Sequence, residues 1–257
     1  MLPSDLINHK NHSKKIIALT AWDSITGSIA EAAGADIVLV GDSLAMVALG
    51  HKTTLPLTVS NIINHTNAVS RGFQKNIDHQ PLLICDMPFL SYQCGEDRAI
   101  EQAGRVIKET YAKGVKLEGA EPEVKRVISR LVRMGIPVMG HLGLTPQSYL
   151  NQGLKKQGEK EYEQAKIKED ALFLEDIGCF ALVLEHIPNF LAKQIKENLK
   201  IPTIGIGAGI YCDGQIRVTA DLIGLTDKQP PFSKPLVNGK KIFIETLKDW
   251  VDSERLN

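Results

Sequence analysis

A short β-branched run, a helical stretch and then a glycine recur along the chain, and this recurrence restricts the fold more than any other feature. The apolar runs are 15–20 (KIIALT), 36–40 (DIVLV), 81–85 (PLLIC), 115–117 (VKL), 136–139 (IPVM), 181–184 (ALVL), 201–206 (IPTIGI) and 222–225 (LIGL). Several are continuously apolar, the pattern of parallel strands buried on both faces. Helices are predicted over 24–33, 58–71, 97–112, 121–134, 162–177 and 189–199. Gly34, Gly72, Gly135 and Gly178 stand where four of them should stop, because glycine tolerates the left-handed backbone of a helix end. Eight strands alternating with helices predict a (β/α)8 TIM barrel, read as a single domain over 1–257; about 250 residues is typical of that fold. An open doubly wound sheet is the runner-up. The polar segment 150–163 reads as a flap or a solvated face. The stretch holding Pro230, Pro231 and Pro235 reads as extended chain before a last helix over 242–254.

Lys plus Arg and Asp plus Glu both number 30, so the formal net charge is zero. That balance argues against nucleic acid or an anionic membrane surface as partner. No apolar stretch approaches the roughly 20 residues of a membrane span; the longest, 37–50, is broken by Gly41, Asp42 and Ser43. The start, MLPSDLINHKNHSKK, has no apolar signal core, which predicts a cytoplasmic protein. Cys85, Cys94, Cys179 and Cys212 form no CxxC pair and read as reduced thiols.

In such a barrel the active site lies at the C-terminal ends of the strands. Asp42, Asp86 and Glu118 follow predicted strands two, three and four. Adjacent strands lie under about 5 Å apart, so acids gathered there repel unless a cation sits among them. An all-oxygen set suits Mg²⁺. Each acid taken singly also fits a helix N-cap or a satisfied loop position. Lys116 is in phase with Glu118 on strand four; it either binds a substrate carboxylate or enolate, or pairs with Asp86 or Glu118. Glu185, ending strand six, is a candidate general base or an acceptor for His141. His141 has no second histidine at ligand spacing, which argues against zinc. The run Ile204-Gly205-Ile206-Gly207-Ala208-Gly209 looks like a phosphate loop, but a turn-like stretch follows it rather than a helix. Close backbone packing is the other reading.

Taken together, Thr20-Ala21-Trp22-Asp23, Val40-Gly41-Asp42-Ser43-Leu44, Gly50-His51 with Thr54-Leu55-Pro56, Asp86-Met87-Pro88-Phe89, Val115-Lys116-Leu117-Glu118-Gly119, Gly140-His141-Leu142-Gly143-Leu144-Thr145-Pro146-Gln147, Leu184-Glu185 and the Ile204–Gly209 run resemble the ketopantoate hydroxymethyltransferase family. The resemblance implies a barrel of the phosphoenolpyruvate/pyruvate type. It implies Mg²⁺, 5,10-methylenetetrahydrofolate as one-carbon donor and 3-methyl-2-oxobutanoate as acceptor. It also implies the first committed step of pantothenate synthesis, in the cytoplasm, by a homodecamer. Carried over by position, Asp42, Asp86 and Glu118 bind metal, and Asp42, Ser43, Asp86 and Lys116 contact the 2-oxoacid. Glu185 accepts the proton and His141 supports the site. The chain departs from the family at 152–159, where one glycine is missing and the stretch is a residue shorter, and at Ala120 and Ala220. A Mg²⁺-dependent 2-oxoacid lyase or mutase of the same barrel type is the alternative. Such relatives often carry a catalytic cysteine in a KKCGH-like loop, and this sequence has no such string.

Overall fold

The computed structural model describes residues 1–10, 14–74 and 80–256. They gather into two compact units, 1–216 and 217 onward. The strands are β1 (Ile16–Thr20), β2 (Ile37–Val40), β3 (Leu82–Asp86), β4 (Gly114–Glu118), β5 (Val138–Gly143), β6 (Ala181–Glu185), β7 (Thr203–Ile206) and β8 (Gly214–Arg217). Consecutive strands pair in parallel, and the sheet closes into a barrel in the order of the sequence. This is the predicted (β/α)8 architecture.

Helices of the first unit are α1 (Pro3–Asn8), α2 (Ser24–Ala32), α3 (Leu44–Val47), α4 (Val59–Gly72), α5 (Glu96–Glu109), α6 (Pro122–Arg133), α7 (Tyr149–Gln152), α8 (Glu161–Asp176) and α9 (Asn189–Asn198). Local chemistry starts and stops them. Asp23 caps α2 by accepting from the Thr26 N–H at 2.7 Å, and Thr58 caps α4 through the Asn61 N–H at 3.1 Å. Pro122 opens α6, and Gly135 follows it at φ +85°. On α6, Val124, Val127, Ile128 and Leu131 are buried together. Their spacing is that of one helix face, and each such side chain contributes about 1.5–3 kcal/mol when fully buried. Val38, Val40, Leu83, Cys85, Val115 and Leu117 of the barrel wall join them in the core between strands and helices. The alternate strand positions are thereby left for the barrel interior.

Two expectations need correction. The eighth strand is not 222–225: Leu222 ends α10 (Thr219–Leu222), and β8 is the stretch GQIR. Its local sequence carries little strand signal. Closure of the sheet recruits it, and Gly214 permits the close approach, since a Cβ there would lie 2.5 Å from the Ile16 carbonyl oxygen. The chain passes from β7 to β8 through 207–213 with no helix, so the alternation lapses there. β5 begins two residues later than predicted and runs to Gly143, which puts His141 within the strand.

In the second unit, Arg217 donates to the Phe232 carbonyl at 2.9 Å and Lys240 pairs with Asp227 at 2.7 Å. The last helix, α11 (Gly239–Leu256), exposes Ile242, Phe243, Ile244, Leu247 and Trp250. Among the described residues no helix is long and apolar enough to cross a membrane.

Candidate active site

Strand register gathers the predicted side chains. Asp86, the last residue of β3, stands beside Lys116 of β4; Glu118, the last of β4, stands beside His141 of β5; and Gly143 of β5 stands beside Glu185, the last of β6. A two-residue period puts Lys116 and Glu118 on one face of β4. Asp42 follows β2, and Ser43 stands at the N-cap of α3 without making a capping bond. Asp42, Asp86, Lys116, Glu118 and His141 are buried. The Glu185 side chain keeps 15% of its surface exposed, so it is the most open of the site's ionisable groups.

The contacts form a chain. Lys116 Nζ lies 2.8 Å from Asp86 Oδ1 and 3.6 Å from Glu118 Oε1. The Asp42 N–H donates to Asp86 Oδ2 at 2.9 Å. His141 Nδ1 lies 3.4 Å from Glu118 Oε1, and its Nε2 lies 3.2 Å from Glu185 Oε2. That last contact is close without being an aligned hydrogen bond. Asp86 Oδ1 is likewise buried without an aligned hydrogen bond, although Lys116 is near. Lys116 therefore pairs with acids, as one of its two readings held. Ser43 Oγ and Asp86 Oδ2 crowd Gly41, where an added Cβ would meet them at 3.1 and 3.4 Å.

The electrostatics follow from burial and crowding. Burial, with Glu118 and Asp86 nearby, pushes the Asp42 carboxyl up to about 8. Burial raises Asp86 as well, against the pull of Lys116. For Glu118 burial acts upward, but Lys116 and His141 outweigh it and hold the carboxyl below its ordinary value. Burial and Lys116 act to lower His141, yet the Glu118 and Glu185 carboxylates beside its two ring nitrogens carry it up to about 9. Burial acts to lower Lys116 too, but Asp86, Glu118 and Asp42 raise it. The cluster thus holds more acid than its cations neutralise, and Asp42 meets the excess by keeping its proton. Among the described residues, no group of three or more His, Cys, Asp or Glu side chains is already set to hold a metal; the acids are turned onto Lys116, His141 and backbone or amide donors.

Two buried residues that sequence reasoning did not single out complete the site: Gln147, in the 3₁₀ turn Pro146–Ser148, and Tyr92. Gln147 Nε2 donates to Asp42 Oδ2 at 3.1 Å, and the Tyr92 hydroxyl accepts from the Glu118 N–H at 3.2 Å. Gln147 stood in the TPQ string, but nothing local marks its amide as a partner of Asp42. In the Ile204–Gly209 run, Gly207 and Gly209 have φ of +62° and +80°. A Cβ at Gly209 would collide with the Asn189 side chain, and one at Gly205 would lie 3.0 Å from Cys212 Sγ. Gly205 and Gly209 thus permit close packing.

The barrel defines the fold class. The structure is similar to that of 2,3-dimethylmalate lyase, a PEP mutase/isocitrate lyase superfamily member (TM-score 0.56, 15% identity, covering 83% of this chain and 80% of that one). It is also similar to phosphonopyruvate hydrolase in complex with oxalate and Mg²⁺ (TM-score 0.63, 12% identity, covering 85% and 81%). At these identities the likeness is one of fold. The sequence is more specific. The family model for ketopantoate hydroxymethyltransferase matches residues 2–255. The 3-methyl-2-oxobutanoate hydroxymethyltransferase of Prochlorococcus marinus (strain MIT 9515) is 72% identical over 257 residues, covering 100% of both chains. The chain belongs to the ketopantoate hydroxymethyltransferase family.

Proposed function

We propose that this enzyme transfers a hydroxymethyl group from 5,10-methylenetetrahydrofolate to 3-methyl-2-oxobutanoate, forming 2-dehydropantoate in pantothenate synthesis. One observation carries the reading. In a chain 72% identical to an enzyme of that name, Asp42, Asp86, Lys116, Glu118, His141 and Glu185 meet at the ends of adjacent strands.

Asp42, Asp86 and Glu118 hold Mg²⁺ in this reading. Its support is an oxygen-only donor set, an acid excess strong enough to keep Asp42 protonated, and a buried Asp86 Oδ1 that lacks an aligned hydrogen bond. When bound, the ion stabilises the negative charge that builds on the 2-oxo oxygen, an effect worth several kcal/mol. Asp42, Ser43, Asp86 and Lys116 surround the 2-oxoacid, with the Lys116 ammonium balancing its carboxylate. Glu185 takes the proton from C3, and the electron pair left behind forms the new carbon–carbon bond to the donor's methylene carbon. The bonds from that carbon to the two folate nitrogens break, water supplies the hydroxyl oxygen, and tetrahydrofolate leaves with the released protons on its nitrogens. A base so placed contributes typically about 10²–10⁴-fold. His141, between Glu118 and Glu185, keeps the base oriented.

The lyase or mutase alternative has only fold likeness behind it, at 12–15% identity. A cytoplasmic homodecamer is the proposed assembly. The exposed Ile242, Phe243, Leu247 and Trp250 of α11 support self-association, and light scattering after gel filtration tests it.

The deciding experiment is deuterium exchange at C3 of 3-methyl-2-oxobutanoate, with protein and Mg²⁺ but no folate. Exchange well above the solvent rate, lost on chelation and restored by Mg²⁺, is expected. Exchange at the solvent rate with metal verified overturns the reading.

A further inference from the structure

We propose that Gln147 is a positioning residue that fixes the Asp42 and Glu118 carboxylates for a divalent cation, an inference that rests on the reading of the acid cluster given above. Gln147 is buried, and its side-chain amide is fully engaged. Nε2 donates to Asp42 Oδ2 at 3.1 Å and to the Met87 carbonyl at 2.9 Å; Oε1 accepts from the Tyr92 hydroxyl at 3.0 Å and from Gln93 Nε2 at 3.3 Å. Its backbone N–H donates to Glu118 Oε2 at 3.0 Å. A primary amide has two donors and two lone pairs, and here all are used.

That saturation fixes which way the amide points. Turning it over would set Oε1 against the Met87 carbonyl, acceptor against acceptor, and Nε2 against Gln93 Nε2, donor against donor. Tyr92 reinforces the orientation: its hydroxyl accepts from the Glu118 N–H at 3.2 Å and lies 3.1 Å from the Glu118 carbonyl oxygen. Gln147, in the turn that follows β5, therefore holds acids that follow β2 and end β4. The third acid, Asp86, is held separately by the Asp42 N–H and Lys116. Asp42 is thus anchored through Oδ2 and Glu118 through Oε2, while Asp86 is engaged through both oxygens, so the three carboxylates are oriented before any ion arrives. Hydrogen-bonded partners of this kind govern metal affinity by about 10–100-fold when they are removed. A glutamine that only closed a loop would instead affect stability and leave cation affinity alone.

The test is calorimetric titration of the chelator-stripped, full-length protein with Mg²⁺, paired with thermal unfolding of the same samples. Gln147→Met keeps much of the volume and the backbone N–H but loses the donors, and should weaken Mg²⁺ binding about 10–100-fold. Tyr92→Phe removes only the hydroxyl and should weaken binding by a smaller factor. Wild-type affinity in a folded Gln147→Met overturns the proposal, whatever its melting temperature. If Gln147→Met does not fold, Tyr92→Phe decides, and an unchanged affinity there overturns it equally. A wild-type protein that binds no Mg²⁺ sinks the metal reading itself and this inference with it; wild-type binding with unaffected variants sinks the inference alone.

Discussion

His141 Nε2 lies 3.2 Å from Glu185 Oε2, while the other ring nitrogen lies 3.4 Å from Glu118 Oε1. One imidazole on β5 thus touches both the carboxylate on β6 and the acid cluster that reaches it through β4. The proposed base and the acid cluster are joined by a single buried ring.

Replacing the proposed base, Glu185, tests its role. Glu185→Gln retains the size of the side chain and the neighbour of His141 but cannot accept a proton. Deuterium exchange at C3 of 3-methyl-2-oxobutanoate should fall about 10²–10⁴-fold, while calorimetric Mg²⁺ affinity stays near wild type. Equal exchange rates in variant and wild type remove Glu185 from that role.

Cation binding should release a proton. In the cation-free protein Asp42 titrates at about 8, raised by burial and by Glu118 and Asp86, so it is largely protonated at pH 7. An arriving ion favours the carboxylate. Calorimetry in buffers of different ionisation enthalpy should show up to about one proton released per ion near pH 7, fading as pH rises above about 8. Release that does not change across that range rules out Asp42 as the source. For the cation-free fold the sign is the raised-pKa one. Asp42's contribution to stability is fully present below its unfolded value near 3.8 and is lost as pH rises through about 8.

Gly143 is held open by its neighbour across the strand pair. Its φ is +96°, and a Cβ there would collide with the Glu185 carbonyl oxygen and lie 2.8 Å from Ile187 Cγ2. Gly143→Ala should destabilise the fold by about 2–3 kcal/mol. Because the backbone that gives way carries Glu185, exchange at C3 should fall in the folded variant as well. A variant with wild-type urea midpoint and wild-type exchange contradicts both effects.

A buried ion pair gives a stability test independent of the acid cluster. Asp213, ahead of β8, accepts from Lys10 at 2.8 Å and from the Thr203 N–H and hydroxyl at 2.9 Å each. Burial acts to raise its carboxyl, but Lys10 and Thr203 outweigh that and hold it below the usual range. Asp213→Asn leaves Lys10 buried without its charge partner and should cost roughly 3–5 kcal/mol at pH 7. A depressed pKa stabilises above the unfolded value, near 3.8, and the gain is lost as pH falls through the lower folded value. The gap in urea midpoint between wild type and variant should therefore shrink below about pH 4. A gap of the same size at pH 3 and pH 7 refutes the assignment.

Much of this protein is local in origin. Continuous apolar runs, capping residues and stopping glycines are short-range signals, so seven strands and the main helices stand near their predicted places. Asp86, Glu118 and Glu185 end strands because the apolar runs end there. Lys116 shares a face with Glu118 because a strand repeats every two residues. Where burial is decided by distant partners, the local signal fails. Val138–Gly143 extends past its apolar stretch because both flanking strands pair with it. Gly214–Arg217 has no apolar run and becomes a strand only because the barrel must close. Gln147 lies 105 residues from Asp42, and no rule of spacing links an amide to an acid over that distance. The sequence alone thus determined which acids stand at strand ends, since periodicity and punctuation act within a few residues. Only the tertiary structure decided which donors hold them and how far their pKa values move, because hydrogen bonding and burial depend on what the closed barrel brings within about 3 Å.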